Sequence, residues 1–320
     1  MTKLPLPALR GTYCHQHLVH HGTTGSRQTS RANVGLVKSI TLGAMPSHDA
    51  LAYLHGTSDR EQARLVRQAD ILRPILLSGL DLAPRERVLE VGCGVGAVMA
   101  ELARAEPTLA LTGLDCSADQ IDGARRHLGS GGIPASLVVG DALALPFPDA
   151  SFDRVVMVWV IEHLADEVAR VAALREARRV LRPGGRIDLT ETDYGLFRVT
   201  PRHASIEAFL AAFVELFDKH GSSCVGPRLA PLLEIAGFAS VDSRMHGLHF
   251  WCPSRAAELC AMTAYILDFV RPELPALVAG RSTLDAAQIE EGLALFGALA
   301  ATPDASFSAT IWRATGRRSE

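Results

Sequence analysis

Glu90 closes an apolar run, Val88 to Val91, and is followed by Gly92, Gly94 and Gly96. Alternate glycines let a chain turn sharply and let a ligand approach the main chain with no Cβ in the way. The spacing therefore predicts a cradle at the mouth of a buried strand. Gly92-x-Gly94-x-x-Ala97 also satisfies the G-x-G-x-x-A dinucleotide fingerprint, which is a weak signal by itself. Glu90 discriminates, because a carboxylate fixed there repels a pyrophosphate and attracts an ammonium or sulfonium group. Cys93 sits inside the turn and reads as a small packing residue.

A second apolar run, Leu109 to Leu114, ends in Asp115, nineteen residues beyond Gly96. At that distance an acid can accept both hydroxyls of an adenine-linked ribose. Ser117 and Gln120 are predicted to form a capping box for the following helix, which frees Asp115 for a ligand. Cys116 between them again reads as packing. A third run ends at Gly140-Asp141-Ala142, where Asp141 can accept from an adenine amino group while Ala142 donates its backbone N–H. The alternative for Asp141 is a turn residue.

His163 is the best-placed general base, since imidazole titrates near neutral pH; a helix-start residue bonded to backbone is its alternative. In Glu191-Thr192-Asp193-Tyr194 the two acids share one strand face and Tyr194 points the other way. His246 and His249 have opposite parity, so at most one of them faces a covered side.

Positioning these groups takes alternating elements. The pattern predicts strands at 87–91, 109–114, 136–139, 153–159 and 185–192, with helices at 96–105, 118–128 and 165–181 between them. Such alternation implies a parallel sheet wound with right-handed crossovers, whose ligands sit at the strands' carboxyl ends. Val241–Trp251 and Ser306–Ala314 read as further strands. Ahead of the sheet, Leu65, Val66, Ala69, Leu72, Ile75 and Leu76 follow helical spacing, with Pro74 expected to kink or split the helix.

Composition narrows the classes. A chain of 320 residues with 48% hydrophobic content holds one sizeable domain with an appended part. A net charge of −3 gives no basic field, so nucleic acid is not expected as a partner, and no apolar run reaches the ~20 residues of a membrane span. Six scattered cysteines without a C-x-x-C pair suggest neither a zinc site nor a disulfide framework, and a cytoplasmic setting is the expectation. Residues 1–45 hold bases but no acid. They read as a disordered arm or an over-long start ahead of Met45, with a transit peptide as the other alternative. Their cluster of Cys14, His15, His17, His20 and His21 lacks a surrounding fold to fix metal geometry.

Taken in order, Glu90-x-Gly92-x-Gly94-x-Gly96, Asp115, Gly140-Asp141-Ala142 with Leu145-Pro146-Phe147, Phe152-Asp153-Arg154-Val155-Val156 running to Glu162-His163-Leu164, and Leu181-Arg182-Pro183-Gly184-Gly185-Arg186 resemble the class I S-adenosylmethionine-dependent methyltransferases. The resemblance is to the small-molecule branch near the ubiquinone and menaquinone enzymes. S-adenosylmethionine carries an ammonium and a sulfonium and no phosphate, in keeping with Glu90. The resemblance implies a Rossmann-like, doubly wound α/β fold with a seven-stranded, mostly parallel sheet, an antiparallel last strand and helical lid insertions. It also implies a cofactor site of Glu90, Gly92, Cys93, Gly94, Gly96, Asp115, Cys116, Gln120, Asp141, Ala142 and Trp159. Tyr53-Leu54-His55-Gly56 resembles the amino-terminal helical cover of one subgroup, with Tyr53 over the cofactor or in plain aromatic packing.

The expected organisation is a leader at 1–45, a helical cover at 46–84, a cofactor-binding core at 85–195, a lid and acceptor region at 196–305 that includes the sixth strand, and a terminal strand and tail at 306–320. Apolar stripes at Ile206, Phe209, Phe213, Phe217 and at Met262, Tyr265, Ile266, Phe269 favour a small lipophilic or aromatic acceptor. Two other functions compete. One is an NAD(P)-dependent oxidoreductase of similar topology, although neither Tyr194 nor Tyr265 is followed four residues later by Lys. The second is a non-catalytic scaffold that binds the same cofactor.

Overall fold

The computed structural model describes residues 58–273, 275 and 285–320. The leader with its Cys14–His21 cluster, and Tyr53, lie outside the described residues. Seven strands form one sheet in the order β3-β2-β1-β4-β5-β7-β6. They are β1 (Arg87–Val91), β2 (Ala110–Asp115), β3 (Ala135–Val139), β4 (Phe152–Val158), β5 (Leu181–Thr200), β6 (Ala239–Trp251) and β7 (Ser306–Arg317). The first five pair in parallel, and β7 runs antiparallel to both β5 and β6. Val88, Leu89 and Val91 are wholly buried, as a strand covered on both faces demands.

The helices are α1 (Asp59–Leu76), α2 (Ala97–Ala105), α3 (Ala118–Ser130), α4 (Glu167–Val180), α5 (Ala204–His220), α6 (Leu229–Ile235), α7 (Ala256–Val270) and α8 (Ala286–Gly297). Apolar residues of α1, α2, α3, α5, α7 and α8 bury one face of the sheet, and those of α4 and α6 bury the other. Capping follows the sequence. Ser58 Oγ accepts from Glu61 N at 3.3 Å and Asp166 Oδ1 from Ala169 N at 2.8 Å. The strand order reverses between β1 and β4, so the crevice beyond their carboxyl ends is the expected ligand position.

Two expectations needed correction. Pro74 does not split α1, which continues to Leu76 as a single helix. Leu72, Ile75 and Leu76 are buried, so packing offsets the amide that proline lacks, and the Arg313 guanidinium donates to the carbonyls of Ile75 and Ser78 at the helix end. β5 extends past 192 to Thr200, because β7 pairs with it across a register shift between Asp193 and Arg198. No helix among the described residues is long and apolar enough to cross a membrane.

Candidate functional site

Where β1 ends, the chain turns through Gly92 (φ +70°) and Gly94 (φ +50°), a backbone region that side chains disfavour. A Cβ on Gly92 would lie 2.5 Å from Val160 Cγ2, whereas one on Gly94 would meet nothing among the described residues closer than Leu65 Cδ1 at 3.5 Å. The loop is therefore tight on one side and open on the other. Leu114 O accepts from both Gly92 N and Cys93 N, at 2.7 and 3.0 Å, which ties the turn to β2. Gly96 opens α2 with no side-chain cap, leaving the first N–H groups of that helix turned to the crevice.

Asp115 is half-buried at the end of β2, and its carboxylate accepts from Gly94 N and Ser117 N, each at 2.9 Å. This corrects the expected capping box. Ser117 Oγ does accept from Gln120 N at 3.3 Å, but the reciprocal bond to Ser117 N comes from Asp115, whose shorter side chain reaches two residues on. Gln120 is left 3% exposed with Oε1 unpaired. Glu90 is equally enclosed, and its Oε2 has no hydrogen-bond partner among the described residues. Burial, and then the neighbouring Asp115, push its carboxyl well above the usual range, and a bond from the Met99 N–H offsets this only in part. A buried acid without a counter-charge, beside a second acid, is suited to a cationic ligand.

Cys93 and Cys116 are free cysteines. Burial, with Glu90 and Asp115 adding to it, pushes the Cys93 thiol far up, and burial also raises the exposed Cys116. Asp141 Oδ1 accepts from Leu143 N at 2.8 Å, the turn geometry of its alternative reading, while its charge faces Cys116 at the end of β2. Ala142 beside it is half-buried. Gln62 Nε2 donates to Asp119 O at 3.3 Å, so α1 crosses over α3 as well as the glycine turn.

Beyond the turn lies a cavity walled by Trp159, Phe197 and Leu248 and by Phe213, Met262 and Phe269 of α5 and α7. Trp159 has φ +53°, and its Nε1 donates to Thr192 Oγ1 at 2.9 Å, which fixes the indole as one wall. One end is polar. Gln68, Tyr194 and Tyr265 line it, Arg64 lies 5.1 Å from the Tyr265 ring centre, and Arg64 is held by Glu61 through two bonds of 2.6 and 2.7 Å. Tyr194 OH donates to Glu162 Oε1 at 3.1 Å. Glu191 Oε1 accepts from Val160 N and Ile161 N, at 3.0 and 2.8 Å.

His163 stacks on Phe217 with ring centres 5.9 Å apart. Its expected titration near neutral pH is corrected: burial and the Arg64 charge pull its pKa down to about 4. The faces of β5 separate as expected, but the face that lines the cavity is that of Thr192 and Tyr194, while Glu191 turns to the 160–161 backbone. Asp193 is buried and accepts from Gly195 N at 3.1 Å. His249 is exposed and bonded to Ser308 Oγ, and Leu248 rather than His246 reaches the cavity. Sequence reasoning passed over Glu162. An acid enclosed by Val160, Ile161 and Leu164 was the available signal.

Residues 88–185 match the model of a methyltransferase domain. The chain is 34% identical over 215 residues to the demethylmenaquinone methyltransferase of Deinococcus radiodurans, covering 63% of this chain and 82% of that one. It is 36% identical over 156 residues to the 27-O-demethylrifamycin SV methyltransferase of Amycolatopsis mediterranei, covering 48% and 54%. Phosphoethanolamine N-methyltransferase 2 of Haemonchus contortus, solved with phosphomonomethylethanolamine and S-adenosylhomocysteine, shares the fold with a TM-score of 0.51 at 15% identity, over 83% of this chain and 60% of that one. The chain belongs to the class I S-adenosylmethionine-dependent methyltransferases of small-molecule type. It spans about half the length of several curated relatives that it matches.

Proposed function

We propose that this protein transfers the methyl group of S-adenosylmethionine to a small, lipophilic or aromatic acceptor. The observation that carries the reading is Glu90, a buried carboxyl with an unpartnered oxygen at the strand-order reversal, beside Asp115 and an open glycine turn. Asp115 takes the ribose hydroxyls, Asp141 and Ala142 the adenine edge, and Glu90 with Gln120 the charged end of the cofactor. Gly92, Gly94 and Gly96 let the main chain approach. Cys93, Cys116 and Trp159 shape the walls, and Tyr53 is assigned to the cover. When bound, the cofactor supplies an electrophilic methyl carbon, so the protein's tasks are alignment and exclusion of water.

In this reading residues 85–195 form the cofactor core, 46–84 the cover and 196–305 the acceptor region, in a cytoplasmic enzyme. The aromatic walls of the cavity favour an apolar acceptor. Incubation with methyl-labelled S-adenosylmethionine and a lipophilic metabolite extract tests this: label should pass to a small apolar product. A scaffold that only binds the cofactor would move none.

A further inference from the structure

Tyr194 belongs at once to the cavity wall and to a buried acid pair. Its hydroxyl donates to Glu162 Oε1 at 3.1 Å, and Glu162 and Glu191, 2% and 0% exposed, each keep a second oxygen that no N–H or O–H group of the described residues reaches. The two carboxyls contact each other, a contact that is a hydrogen bond only when one of them is protonated. Both are raised above the usual range, chiefly by burial, and Glu162 further by the charge of Glu191. Two carboxyls in a dry site share one proton and keep one basic position. The other charged or titratable groups around them are Arg64, already paired with Glu61 on α1, Tyr265 on α7, and His163.

We infer that Tyr194, backed by the Glu162–Glu191 pair, takes the proton of the acceptor, and that the acceptor is therefore a protic compound, a phenol or enol, rather than a ready-made anion. The inference rests on the reading of the cavity as the acceptor site. The acceptor's O–H bond breaks and its proton moves to the Tyr194 oxygen, while Tyr194's own proton passes to Glu162 and the proton that Glu162 shares moves on to the Glu191 carboxylate. No electrons change hands, and the freed lone pair stays on the acceptor oxygen as the nucleophile. Tyr194 is the catalytic group; Glu162 and Glu191 are positioning residues that act through it. A carboxylate or thiolate needs no base, and the net negative pair would repel it.

The test uses 4-nitrophenol, whose ionised form absorbs visibly, bound to the full chain loaded with S-adenosylhomocysteine. Wild type should hold the probe as phenolate at neutral pH without releasing its proton to buffer. Glu162→Gln and Tyr194→Phe, both close in shape to the native residues, should hold it as neutral phenol, with the ionised-to-neutral ratio falling by about tenfold or more, one pKa unit or above. Equal spectra in wild type and both variants overturn this inference while leaving the cavity assignment standing. Failure of the probe to bind wild type overturns both.

Discussion

Two clusters of buried charge lie in the same sheet and are treated in opposite ways. Around Arg154, every acid meets a guanidinium: Arg154 bonds Glu86 and Asp188 and also Asp81 O, and Arg186 bonds the other oxygen of Asp188. At the carboxyl ends of β1, β4 and β5, Glu90, Glu162 and Glu191 are buried with no Arg or Lys of the described residues bonded to them, and one oxygen of each, with the amide oxygen of Gln120, makes four of the seven unpartnered buried side-chain atoms among the described residues. Pairing of the first kind holds a fold together. Leaving acids unpaired costs stability, and the cost is recovered when a ligand supplies the missing charge or proton.

The largest expected effect tests the paired side. Asp188→Asn takes the acid from Arg186 and one of the two from Arg154, and should lower unfolding stability by about 3–5 kcal/mol. In contrast, Glu90→Gln removes an uncompensated acid and should leave the urea midpoint unchanged or raised. If both variants destabilise alike, the contrast between the clusters fails.

The next effect falls on the ligand side. Asp115→Ala removes an acceptor of charge-assisted bonds, each worth about 1.5–3 kcal/mol, so S-adenosylmethionine affinity should drop roughly 10–100-fold in a calorimetric titration. Gly92→Ala should weaken binding too, since its Cβ would meet Val160 Cγ2 at 2.5 Å at a φ of +70°.

A smaller effect concerns pH. Burial lifts Glu162 and Glu191 together, so the folded pair keeps a shared proton that the unfolded chain releases above a carboxyl's ordinary value of about 4.3. The stabilisation is complete below that value and is lost as pH rises through the raised value of the pair. Unfolding free energy should therefore fall between about pH 5 and 8, by up to about 1.4 kcal/mol per unit, and Glu191→Gln should flatten the curve. The smallest effect belongs to His163, neutral throughout this range because its pKa lies near 4. His163→Gln should leave the shape of the pH profile above pH 5 unaltered.

Much of this was legible in the residues. β1 through α4 follow periodicity and caps to within a few positions, and Glu90, the glycines and Asp115 announce themselves by their place after apolar runs. The full length of β5 was not legible, since only pairing with β7, more than a hundred residues away, carries it past Asp193. Nor was the Tyr194–Glu162 bond. It depends on the left-handed Trp159 and the short 3-10 turn Ile161–His163, which together bring Glu162 to the end of β5. Strand parity placed Tyr194 on its face correctly but could not say that this face borders the cavity.

In the proposed function, the buried carboxyl of Glu90 at the glycine turn selects a cationic adenosyl cofactor over a dinucleotide. Parallel calorimetric titrations of wild type and Glu90→Gln with S-adenosylmethionine and with NADH decide this. Wild type should bind S-adenosylmethionine and not NADH, and Glu90→Gln should bind S-adenosylmethionine about tenfold or more weakly, the equivalent of about 1.4 kcal/mol. NADH binding to wild type, or undiminished S-adenosylmethionine affinity in Glu90→Gln, would contradict it.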